Sequence, residues 1–131
     1  MSRKALLFIM ILVLLPLLAL PQPTAAQGGC NDPFEPNDDG TQAKILQPGQ
    51  SQGAICPAGD WDIFKLSVSA GDSIYLSLFN LPADYDLGLY SSAAGDWVAT
   101  SENGQTADEQ ISWTSDGQDT LYVVVYGYAG P

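Results

Sequence analysis

From Thr41 onward, short runs of apolar residues at every second position alternate with polar ones, and turn residues punctuate them. Phe64, Leu66 and Val68 alternate with Lys65, Ser67 and Ser69, and Ile74, Leu76 and Leu78 with Tyr75 and Ser77. A period of two is the repeat of a strand with one buried face. The intervening "SAGD" offers Gly71 and Asp72 for a tight turn, so the two runs are expected to form a hairpin. "YDLGLYSS" continues the pattern, with Leu87 and Leu89 facing one way and Tyr90 the other. "AAGD" turns the chain into "WVATS", and Asn103-Gly104 punctuates again. "EQISWTS" sets Ile111 and Trp113 on one face. "TLYVVVYGY" is apolar almost throughout, which predicts a central strand covered on both sides. "AKIL" and "QGAIC" are weaker strand candidates. No segment keeps a helical period. Seven or eight short strands at regular spacing predict an all-β, antiparallel β-sandwich.

The start of the chain follows other rules. Arg3 and Lys4 precede an almost unbroken apolar run, Ala5 to Leu20, and then small residues at Thr24 and Ala26. That order predicts a secretory signal peptide over residues 1–26. An acidic, extended strap then spans 27–40 and the sandwich spans 41–131. A membrane anchor is the alternative reading of the apolar run, and "QGGC" lacks the aliphatic residue of a lipobox.

Removal of the signal changes the electrostatics. Lys44 and Lys65 are left against 15 acids, with no histidine, for a net charge of about −13. Such a surface repels nucleic acid and anionic lipid, so neither is an expected partner. Without histidine a Ser–His or Cys–His arrangement cannot be built. Paired carboxylates of the glycosidase kind have no evident cleft to work in. The chain is therefore expected not to be an enzyme. Cys30 and Cys56 both lie in the exported part, where an isolated pair most often forms a disulfide. The bridge would close a loop of roughly 27 residues, worth about 3.5 kcal/mol. Free thiols and a soft-metal site are the alternatives, and the second lacks the further thiols or imidazoles that would complete it.

The acids gather in three places: Glu35, Asn37, Asp38 and Asp39 in "CNDPFEPNDDG", Asp60 and Asp62 in "GDWD", and Asp84 and Asp86 in "ADYDLGLY". A Cys30–Cys56 bridge would hold the first group beside the second. Calcium takes six to eight oxygen ligands from carboxylates, amides and carbonyls, and two such segments side by side supply them. The competing reading is that Asp and Asn merely populate turns, and Asp84 and Asp86 fit it best. Trp61 and Trp97 lie near turns, where they can be exposed and take part in ligand binding. Trp113 sits on an alternating apolar face and is expected in the core.

"EPND", "GAICPAGDWDIFKLSVSAGDSIYLSL", "DYDLGLYSSAAGDWVATSENG" and "DTLYVVVYGYAG", in that order, resemble the bacterial pre-peptidase C-terminal domain, and through it the collagen-binding domains of bacterial collagenases. The resemblance covers Asp32 to Gly130. It implies a jelly-roll-like sandwich appended to secreted proteases and other exported proteins, not itself catalytic and stabilised by calcium. By position, Glu35, Asn37 and Asp38 fall on the strap ligands and Asp60 and Asp62 on the second ligand segment. Pro33 stands where the collagenase strap carries a further acid. No contact residue for collagen can be matched. The family continues past Y-G with one more strand, which the resemblance implies is missing here, through truncation or donation by a partner. The expected function is a calcium-stabilised accessory domain, secreted or at the cell surface, acting beside a protease or other exported protein. The alternative is an extracellular glycan- or protein-binding module.

Overall fold

The computed structural model describes residues 31–57 and 59–128. The expected signal peptide, Cys30 and the last three residues lie outside them. Among the described residues there is no helix, and hence none long and apolar enough to cross a membrane. The described residues form an all-β sandwich of seven strands: β1 (Lys44–Ile45), β2 (Trp61–Val68), β3 (Ser73–Leu78), β4 (Tyr85–Ser91), β5 (Asp96–Ser101), β6 (Glu109–Thr114) and β7 (Asp119–Gly127). One sheet has the order β1-β2-β7-β4-β5, and β3 and β6 form the second. Neighbours run antiparallel, except that β1 lies parallel to β2.

Alternation explains the core. Val68, Leu87, Leu89, Ile111, Leu121, Val123 and Val125 are buried between the sheets, with Phe64, Leu66, Ile74, Leu76 and Trp113 packed around them. β7 occupies the centre of the larger sheet, as its apolar run predicts. It is covered twice: Leu121, Val123 and Val125 point into the sandwich, while Val124 packs on the opposite face with Ala43 and Ile63.

Two expectations are corrected. β2 and β3 are not a hairpin, because β2 pairs with β7 and β3 with β6. The turn between them forms, with Gly71 at φ 88° and the Asp72 N–H donating to the Ser69 carbonyl at 3.1 Å, yet it carries the chain from one sheet to the other. Gly71 and Ser115 also exchange bonds with that neighbourhood: the Gly71 N–H donates to the Ser115 carbonyl at 2.7 Å. Alternation fixes which face of a strand is buried and leaves its partner open. "QGAIC" forms no ladder. Its donors go to carboxylates instead: the Ala54 N–H to Asp32 Oδ2 at 3.4 Å and the Cys56 N–H to Asp60 Oδ2 at 3.0 Å.

Candidate metal centre and aromatic face

The strap is shaped by its own acids. Asp32 Oδ1 accepts the Phe34 N–H at 2.8 Å, and Glu35 Oε2 the Asn37 N–H at 3.3 Å. Asp39 Oδ1 takes both the N–H and the hydroxyl of Thr41, at 2.7 and 2.6 Å, which holds its carboxyl below the ordinary range. These are Asx-type turns, and they leave Asp39 as a turn residue. The strap then docks along β2. The Ile63 N–H donates to the Asn37 carbonyl at 2.9 Å, Phe34 meets Phe64 edge-on at 5.1 Å, and Ala43 is buried against Ile63 and Val124.

This docking brings the expected ligands together. Asp32, Glu35 and Asp62 can each place one carboxylate oxygen within 4.8 Å of the others, and so can Glu35, Asp38 and Asp60. The two triads share Glu35, so five carboxylates from two chain segments converge. A Cβ added to Gly53 would stand 3.6 Å from both Asp32 Oδ1 and Asp62 Oδ2, so a glycine there leaves their surroundings open.

The electrostatics are those of a cluster lacking a counter-charge. Burial, then the charges of Asp32 and Asp60, push Asp62 up to about 7. Glu35 is raised by burial and by Asp60 and Asp38, and Asp38 first by a hydrogen bond with Asp60 and then by burial. No lysine offsets these shifts. Asn37 is fully buried, at 0 % exposure, and neither its Oδ1 nor its Nδ2 has a hydrogen-bond partner. Asp62 Oδ1, also buried, has none either. The Asn37 amide is near enough to Asp62 to favour its charged form without reaching hydrogen-bond geometry.

Sequence reasoning named Glu35, Asn37, Asp38, Asp60 and Asp62, and all five lie in this one region. It overlooked Asp32, which no pattern in the sequence marks as a ligand. It also overlooked Glu109, fully buried, which shares the parity of Ile111 and Trp113 and so had to point inward. Glu109 accepts the Ser101 hydroxyl, the Asn103 N–H at 2.8 Å and the Asn103 side-chain amide at 3.1 Å. Asp84 keeps a turn role, its carbonyl accepting the Tyr128 N–H at 2.9 Å. Asp86 lies inside β4, is 5 % exposed, and is raised by burial and then by Glu102, Asp84 and Glu109. Cys30 is outside the described residues, so the expected bridge to Cys56 lies outside them too.

Trp61 and Trp97 are 45 % and 41 % exposed on the outer face of the larger sheet. Between them lies a groove of about 230 Å³, bounded by Gly40 of the strap. Neither a protein-family model nor a characterised protein matches this chain.

Proposed function

We propose that this chain is a non-catalytic accessory module of an exported protein, its strap fastened to β2 by calcium. Asp32, Glu35, Asp38, Asp60 and Asp62 would supply carboxylate oxygens and Asn37 an amide oxygen. The observation that carries this reading is the buried, unpartnered Asn37 side chain beside the unpartnered Asp62 oxygen. A buried amide left without a partner costs about 1–3 kcal/mol, and a cluster of carboxylates without a cation adds mutual repulsion. One hard cation would take the unpartnered Asn37 and Asp62 oxygens as ligands and offset the repulsion among the carboxylates. An all-oxygen donor set suits calcium, not zinc.

Export supports the same reading, because extracellular fluid supplies calcium and permits a Cys30–Cys56 bridge. That bridge would anchor the strap within four residues of Asp60. The absence of histidine from the sequence, and carboxylates gathered on a strap instead of facing across a cleft, favour a structural role over catalysis. A second reading, a module that binds an extracellular ligand, is favoured by the exposed aromatic face.

Thermal melts in calcium and in chelator test the metal. Calcium at 100 times its dissociation constant stabilises by about 2.7 kcal/mol, which in a domain this size raises the midpoint by roughly 10 °C or more. Glu35→Gln with Asp60→Asn is expected to abolish the rise. A cooperative melt that calcium leaves unmoved would return the acids to the role of turn residues.

A further inference from the structure

The outer face of the larger sheet has a layout that the metal reading does not use. The register sets Ile63, Val124 and Gly88 side by side across β2, β7 and β4. On one side of this low line stand Trp61 and Tyr126, their rings 5.6 Å apart. On the other stand Tyr122, Tyr90 and Trp97, with Tyr90 6.4 Å from Tyr122 and 5.8 Å from Trp97. Small side chains between two aromatic ridges make a groove that crosses the strands. Gly88 is integral to it: a Cβ there would come within 2.3 Å of the Trp97 indole, so glycine lets that ring lie against the sheet. Neither tryptophan belongs to either core cluster.

The groove's lining offers rings and aliphatic carbon, with no amide and no carboxylate to read the hydroxyls of a sugar. Its surroundings are acidic. Asp86 and Glu102 extend the Trp61–Tyr126 ridge, and the Tyr126 hydroxyl donates to Glu102 at 3.1 Å. Asp96 adjoins Trp97, and Asp38 and Asp39 precede Gly40. Lys65, which pairs with Tyr122, is the cation nearest in register. Aromatic faces attract cations through their quadrupole, best at tryptophan, and a surrounding negative field draws a positive partner to them.

We propose that this groove binds a basic polypeptide segment, with an arginine or lysine side chain laid against Trp97 and Trp61. Ridges and floor belong to the sheet, so the groove forms without the metal, although the two neighbourhoods adjoin: Trp61 lies between Asp60 and Asp62, and Asp38 stands two residues before Gly40. The test titrates the purified protein with a blocked oligo-arginine peptide at physiological salt, in calcium and again in chelator, reading tryptophan fluorescence and heat. Saturable binding is expected, about tenfold weaker in Trp97→Ala and in Trp61→Ala. Both changes leave the net charge untouched, and Trp97→Phe keeps a ring and is expected to keep most of the affinity. Melts of each variant confirm that it is folded. Equal binding by the alanine variants would mean that the acidic field alone holds the peptide, and would overturn the proposal. So would no binding in either buffer, or binding of a neutral chito-oligosaccharide in place of the peptide. Loss of the calcium-dependent melt shift with peptide binding intact would sink the metal reading and leave this one standing.

Discussion

At Asp62 two opposing demands meet in one side chain. β2's alternation turns it inward from Trp61, to 4 % exposure, and burial together with Asp32 and Asp60 pushes its carboxyl up to about 7. Without a cation its charge destabilises the fold near neutral pH; with one, the same charge is a ligand. Asp62→Asn separates the two roles. In chelator the variant is expected to melt higher than the parent, by about 1–2 kcal/mol of relieved desolvation and repulsion. In calcium it is expected to lose most of the parent's gain, so the order of the two proteins reverses. A variant less stable in both buffers would show that Asp62 is held by contacts other than an ion.

At the level of elements, the two sheets are tied at one end by Glu109. It opens β6 in the smaller sheet and receives the Ser101 hydroxyl from the end of β5 in the larger, along with both Asn103 donors. Glu109→Ala strands the Asn103 N–H and the Ser101 hydroxyl together, at an expected cost of about 3 kcal/mol. Glu109→Gln, which keeps an acceptor, should cost less, and urea denaturation distinguishes them. This residue also marks what the sequence discloses. Its parity with Ile111 and Trp113 was enough to turn it inward, and parity likewise predicted the buried faces of β2, β3 and β4, while the unbroken apolar run of β7 predicted its central place. Strand pairing was not legible. β2 and β3 alternate alike and are joined by a well-formed glycine turn, yet they sit in opposite sheets, because their apolar faces meet across the core. The acidic cluster was legible as two segments and not as a set of contacts. Asp32 had no pattern to mark it, and its nearness to Asp62 depends on a strap path fixed by the Asn37–Ile63 hydrogen bond and by Phe34 on Phe64.

Across the whole molecule, most of the resolved carboxyl shifts run one way. Glu35, Asp38, Asp62 and Asp86 are raised, and Asp39 and Asp119 are lowered by local hydrogen bonds. A carboxyl raised on folding binds protons more tightly in the native state than in the unfolded chain. Its contribution is therefore fully present below the unfolded pKa and is lost as pH rises through the folded one. Asp62 sets the window, from its ordinary 3.8 up to about 7. In chelator the melting temperature is expected to fall between roughly pH 4 and pH 7 and then to level off. Asp39 and Asp119 act oppositely and withdraw stability only in stronger acid. Calcium competes with those protons for the same oxygens. Its stabilising increment should grow over the window in which the metal-free protein weakens, so the two melting curves diverge upward from about pH 4. Parallel curves would place the titrating acids outside the metal centre, and the strap would then owe its position to contacts that need no ion, among them Phe34 on Phe64, Ala43 in the outer cluster and the Asn37 carbonyl on β2.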